Sequence, residues 1–150
     1  LYTFMNCAFC DDNESNENNK RIIIENTLAK ACPTTQPIVP GHILIVPKRC
    51  ISNFEDMTPD ELNDVFNLMK KVKDALRKAF DCEGFNHAWN ENKVAGQTVP
   101  HFHLHVVPRK QGDRGIYEYE PRKFLYRPGS RENSEDKELR EISNLLIKNI

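Results

Sequence analysis

The chain has 150 residues, 39% of them hydrophobic and 29% charged, with a formal net charge of −1. This suits one globular domain over 1–150, with a core at about 20–110 and a tail at 111–150, able to bury roughly two thirds of its unfolded surface. The near-neutral balance excludes a global attraction to nucleic acid or to an anionic membrane, so any anion site has to be local. Apolar runs such as "HILIV" are far too short to cross a bilayer.

No signal peptide opens the chain, and residues 1–4, ahead of Met5, are read as lying outside the fold. Five cysteines is an odd number. It favours thiols or metal ligation in a reducing compartment, cytoplasm or nucleus, over a disulfide framework. "DDNESNENNK", 11–20, is polar and reads as a mobile surface loop. "RIIIENTLAKAC", 21–32, predicts one or two strands, and "PTTQPIVPG", 33–41, an extended connector. "HILIVPK", 42–48, is β-branched and apolar, an interior strand ended by Pro47.

A helix follows. Thr58 is placed to cap it, Pro59 suits the first helical position, and Glu61 completes a Thr-x-x-Glu capping box. Leu62, Val65, Phe66, Met69, Val72, Leu76 and Phe80 form one apolar stripe, read as packed on a sheet. "FNHAWNEN", 85–92, predicts a strand, "KVAG" a loop and "HFHLHVVPR", 101–109, another strand. The tail reads as a mobile loop from "PGSRENSEDK", then a final helix with Leu139, Ile142, Leu145 and Leu146 inward. Strands grouped on either side of one long helix predict an α+β fold with a mostly antiparallel sheet.

Three of the five histidines fall within five residues. In a strand, residues i, i+2 and i+4 share a face at about 6.6 Å per step. His101, His103 and His105 therefore look into a site while Phe102, Leu104 and Val106 fill the buried side. Two chemistries compete there. A metal held by all three imidazoles would need ring nitrogens within about 3.5 Å of each other, which that spacing strains. Alternatively, one imidazole attacks phosphorus, since its ordinary pKa leaves much of it neutral at pH 7. "GQTV", 96–99, runs into the histidines with donors for an anion, Gln97, Thr98 and nearby N–H groups, and Asn90 adds another amide.

"GQTVPHFHLHVV" resembles the signature of the histidine triad superfamily. So does "PIVPGHILIVPK", 37–48, where His42 faces the same site, and so do the capped helix and Asn90 eleven residues before His101. The resemblance covers about residues 20–110. It implies that His103 attacks the α-phosphorus of a nucleotide ester, anhydride or phosphoramidate, and that water then releases the nucleoside monophosphate. Asn90, Gln97 and Thr98 would hold phosphate oxygens, Gln97 and Thr98 also near the leaving group, and His42 and His105 would bind or polarise the phosphate and orient the nucleophile. Many members carry an Asp or Asn in the connector, contacting ribose; here Thr34 or Thr35 offers a hydroxyl instead.

"RKQGDRGIYEY" resembles the branch acting on dinucleoside polyphosphates, with Arg109, Lys110 and Arg114 as phosphate contacts or simply a solvated basic face. Adenosine phosphoramidase, nucleotidyltransferase, a nucleotide-binding signalling module and a metal hydrolase are the alternatives. The resemblance also implies a homodimer through the long helix and adjacent strand.

"CAFC", 7–10, is a Cys-x-x-Cys, open to a zinc or a redox reading on its own. Relatives with such a pair complete a zinc site using a residue just after the Pro-Gly-His strand and the first triad histidine. The resemblance thus implies a structural zinc at Cys7, Cys10, Cys50 and His101, against metal-free thiols. Cys32 and Cys82 are read as thiols without catalytic importance, and His87 as an ordinary strand histidine.

Overall fold

The computed structural model describes residues 7–10, 17–113 and 133–150. Residues 1–4, most of the Asn-rich run, Arg114 and the first half of the loop before the last helix lie outside them. The described elements in chain order are β1 (Ile24–Glu25), β2 (Ala29–Pro33), β3 (Ile43–Pro47), α1 (Pro59–Phe80), β4 (Gly84–Ala88), β5 (Leu104–Arg109) and α2 (Asp136–Ile147). The sheet runs β1-β2-β3-β5-β4 and every pairing is antiparallel. The expected α+β class holds.

Side-chain alternation divides the sheet. Ala29, Ala31, Ile43, Ile45, Leu104 and Val106 join Val65, Leu68, Val72 and Leu76 of α1 in the main core. Ile142 and Leu146 of α2 enter the same cluster, so the tail returns to complete it. Asn26 tightens the β1–β2 hairpin, its Oδ1 accepting from Ala29 N at 2.9 Å. Asp64 of α1 accepts from Leu28 N at 2.9 Å, tying hairpin to helix.

Thr58 caps α1 by accepting from Glu61 N at 3.2 Å. The expected return bond from Glu61 is replaced: its carboxylate, 5% exposed, binds the Arg49 guanidinium at 2.8 and 3.3 Å. A cation outcompetes a backbone N–H for a carboxylate that is leaving water. The apolar stripe also turns a little from its expected line. Leu68 and Ala75 are fully buried, while Phe66 is exposed. In α2, Ser143 occupies the inner face, donating to Leu139 O at 2.9 Å, and Leu145 points outward.

Gly41 sets the entry to β3. Its φ is +89°, and a Cβ there would lie 3.1 to 3.3 Å from Leu76, Pro108 and Phe80. Backbone and helix meet too closely for any side chain.

Candidate active site and metal centre

The sheet's other face carries the chemistry. Register places Lys30 beside Val46, Cys32 beside Leu44, and Leu44 beside His105, with Thr34 N bonded to His42 O at the end of the ladder. β5 begins at Leu104, three residues later than expected. Ahead of it the chain leaves β3, because Phe102 N donates to Ile51 O at 2.6 Å and His101 N to Val99 O at 2.8 Å. Alternation survives nonetheless: Phe102 stays in the core and the three histidines stay opposite.

Those histidines are not on an open face. His101, His103 and His105 are all buried, covered by the 7–10 turn and by Phe9 in particular. Phe9 lies 5.7 Å from His101 and 5.4 Å from His103 between ring centroids, and His105 follows 5.1 Å beyond His103. A cleft of about 150 Å³ remains, walled by Phe9, Asn18, Thr34, Thr98, His103 and His105 among others. It is smaller than the ~300–1,000 Å³ usual for drug-sized ligands, so a ligand of that size would be enclosed only in part.

Hydrogen bonds dictate the proton positions on the rings. The Ile38 N–H donates to His42 Nδ1 at 3.1 Å, so neutral His42 carries its proton on Nε2. That proton goes to His105 Nδ1 at 2.9 Å, which leaves His105 with Nε2–H as donor. His103 is held the opposite way, its Nδ1–H donating to His101 O at 2.7 Å, so its lone pair sits on Nε2. Burial pushes the His103 pKa below the ordinary histidine value, the carbonyl partly opposing, so the neutral ring dominates near pH 7. A neutral ring with its lone pair on Nε2 stands next to a ring that donates.

His101 belongs to another group. Its Nε2–H donates to Pro47 O at 2.7 Å, turning Nδ1 toward Cys7 Sγ at 3.3 Å and Cys10 Sγ at 3.8 Å. The ligand atoms of Cys7, Cys10, Cys50 and His101 all lie within 4.8 Å of one another. Burial first, then its cysteine neighbours, push the Cys10 thiol well above the usual range, and burial likewise raises Cys50. A divalent cation among the crowded sulfurs would offset the cost of ionising Cys10 and Cys50. Three cysteine sulfurs and one imidazole at this spacing could hold a metal ion.

The remaining sequence candidates divide. Thr34 and Thr98 reach the cleft. Gln97 does not: it is buried, with Oε1 accepting from Asn92 N at 2.9 Å and Nε2 donating to Ser52 O at 2.9 Å, so its amide braces the loop. Asn90 is buried just past β4, which stops at Ala88, and does not line the cleft. Arg109 is engaged by Asp113 at 2.7 and 2.9 Å, away from the histidines. Cys32 is buried and its thiol pushed up to about 12 by that burial, while His87 sits exposed on β4.

Two wall residues escaped the sequence reading. Phe9 was hidden inside the Cys-x-x-Cys, where its place between two ligands was the available signal. Asn18 was hidden in a run read as mobile; it is half-buried and donates to Ala8 O at 2.8 Å.

The structure thus sets a small α+β domain with an antiparallel sheet around a row of buried histidines beside a Cys3His cluster. The HIT-domain family matches residues 15–112, and the chain belongs to that family. It is 38% identical over 93 residues to the asymmetrical bis(5'-nucleosyl)-tetraphosphatase of Schizosaccharomyces pombe, covering 62% of this chain and 51% of that protein. It is 34% identical to the bis(5'-adenosyl)-triphosphatase of Dictyostelium discoideum over 61% of this chain and 62% of that one. The chain thus spans about half to three fifths of the length of these relatives. Among solved structures, a zinc-bound histidine triad family protein from Mycobacterium smegmatis superimposes with a TM-score of 0.66 at 27% identity, covering 85% of this chain and 81% of the other.

Proposed function

We propose that the protein hydrolyses nucleotide phosphoanhydrides, dinucleoside polyphosphates first among them, through a nucleotidyl-histidine at His103. The observation that carries this is the opposed pair of tautomers, lone pair on His103 Nε2 and proton on His105 Nε2, in one cleft. In the first step Nε2 of His103 bonds to the α-phosphorus and the P–O bond to the remaining phosphate chain breaks. The leaving oxygen departs with its electron pair, and the His105 N–H stabilises charge on the phosphoryl or leaving oxygen. His42 orients His105, and the His101 carbonyl orients His103. Water then attacks phosphorus, the P–N bond breaks with its electron pair returning to His103 Nε2, the water's proton passes to solvent, and a nucleoside monophosphate leaves.

Thr34 and Thr98 are the hydroxyls for ribose and phosphate. Gln97 would reach phosphate after exchanging its loop bonds, and Asn90 would act from its buried position just past β4. We read the Cys7, Cys10, Cys50, His101 cluster as a structural zinc site, supported by the zinc-bound relative and by a fourth ligand that leaves no open position. When bound, the ion would cross-link the 7–10 turn to the nucleophile's strand. Chemistry by a metal-activated water is disfavoured because His103 and His105 lie outside that donor set.

A homodimer is supported by β4 being a sheet edge, with Trp89 and Phe66 exposed. No described helix is long and apolar enough to cross a membrane, and five thiols accord with a reducing compartment such as the cytoplasm or nucleus.

The test is AMP release from diadenosine tri- and tetraphosphate by wild type and His103→Ala, with and without a chelator. Release that survives brief chelation but not the substitution supports the proposal. Equal rates in the two proteins would remove His103 as nucleophile.

A further inference from the structure

The turn that carries two of the clustered thiols is also a wall of the cleft. Between Cys7 and Cys10 lie Ala8 and Phe9, and both face the cleft together with Asn18. Phe9 is 5% exposed and packs on Leu44 and Val46, its ring against His101 on one side and His103 on the other.

This turn belongs to no strand or helix. Side chains hold it: Asn18 Nδ2 donates to Ala8 O at 2.8 Å and Asn19 Nδ2 to Cys10 O at 3.4 Å. Asn19 in turn accepts from the buried Lys30 ammonium at 2.7 Å. The strongest tether available is the ligand cluster, which would pin both ends of the turn to Cys50 and His101.

We infer that metal binding at Cys7, Cys10, Cys50 and His101 and nucleotide binding in the cleft are thermodynamically linked, because the same two residues, Ala8 and Phe9, are ordered by one and contacted by the other. The inference rests on the nucleotide reading of the cleft given above. With both ends of the turn fixed, an incoming nucleotide meets a wall already in place and spends no binding free energy on ordering it. Without the metal, that ordering is charged to the ligand. Linkage is reciprocal, so the factor by which metal tightens nucleotide is the factor by which nucleotide tightens metal.

AMP is a suitable probe, since it fills a nucleotide site without being turned over. Calorimetric titration of the full chain, zinc-loaded and zinc-stripped, should give about tenfold weaker AMP binding to the stripped form, within the ~5–150-fold usual for coupled sites. Restoring zinc should restore affinity. Saturating AMP should tighten zinc against a chromogenic chelator by the same factor. Phe9→Ala should still bind one zinc, yet its AMP affinity should no longer respond to zinc.

Circular dichroism of the stripped protein should keep its helical signal; collapse of that signal would assign the effect to global unfolding and overturn the linkage. Equal AMP affinity with and without zinc, or failure to bind zinc at all, overturns the linkage and leaves the nucleotide reading standing. Failure of the zinc-loaded wild type to bind AMP overturns both.

Discussion

The two faces of this sheet are both buried, yet by different means. On one, Ala29, Ala31, Ile43, Ile45, Leu104 and Val106 pack against a 22-residue helix and a second helix behind it. On the other, the apolar residues among those described are few, Leu44 and Val46 with Phe9, and Cys7 and Val99 at the margin, and they share the face with imidazole, thiol, hydroxyl and the buried Lys30 ammonium. Apolar area can close the first face without help. The second has too little of it, so its cover depends on directional bonds: amides to the 7–10 carbonyls, ring to ring, and sulfurs gathered round His101. Chemistry sits where packing is weakest, and the polar bonds that replace packing are the ones that set proton positions.

The sharpest separation of the faces is functional. His103→Ala should lower AMP release from a diadenosine polyphosphate by at least ~10³-fold, since covalent catalysis loses its nucleophile. Its thermal midpoint should move little, because His103 donates one bond, to His101 O, and is a member of neither apolar cluster, touching only the edge of one through Phe9. A midpoint drop as large as a core truncation would mean that the histidine row holds up the fold.

Leu76→Ala probes the other face. Leu76 is fully buried between α1 and the sheet and touches the space that Gly41 leaves empty. Truncation should cost about 2–5 kcal/mol in denaturant unfolding. AMP release per folded molecule and zinc content should stay near wild type. Loss of zinc in this variant would show that the two faces do not act separately. Cys50→Ser should have a smaller effect than either. It should take zinc well below one per chain and lower the thermal midpoint by about 5 °C, as roughly 2 kcal/mol does in a chain of this length. An unchanged midpoint together with full zinc content would remove Cys50 from the cluster.

Legibility in the sequence follows the same divide. The helix-covered face obeys periodicity, so α1, its Thr58 cap, β3 and the inward set Phe102, Leu104 and Val106 could all be read from spacing. Its errors were rotations of a few tens of degrees, Phe66 for Leu68 and Leu145 for Ser143, because period alone does not say where the neighbouring sheet ends. The site face was legible in its residue types but not in its contacts. That His101 leaves the row for the cysteines was implied by the family resemblance, in which the first triad histidine joins a Cys-x-x-Cys. That Gln97 spends its amide on Asn92 and Ser52 was not, since a buried amide is claimed by whichever backbone groups the loop leaves unpaired. Asn18 and Asn19 looked like solvent-facing loop, and only the position of the turn they hold shows otherwise.

The smallest expected effect concerns the seam where the tail closes the first face. Asp136, at the start of α2, accepts from Arg21 Nε at 2.8 Å and Nη2 at 2.6 Å and from Arg140 on its other oxygen. The hydrogen bonds from these two guanidinium groups hold its pKa below the ordinary carboxylate value. A depressed carboxylate pKa means that the unfolded chain binds the proton more readily. The stabilisation is therefore fully present above the unfolded pKa, near 4, and is lost as pH falls through the lower folded value. Asp136 is half exposed, so the effect is modest, but Arg21 is 7% exposed and would be left buried without its partner. Asp136→Asn should thus be less stable than wild type at pH 7, and the gap between their thermal midpoints should close progressively below pH 4. A gap that persists unchanged to pH 2 would trace the loss to the start of α2 rather than to the ion pair, and a gap that is absent at pH 7 would mean that α2 is held by Leu139, Ile142 and Leu146 alone.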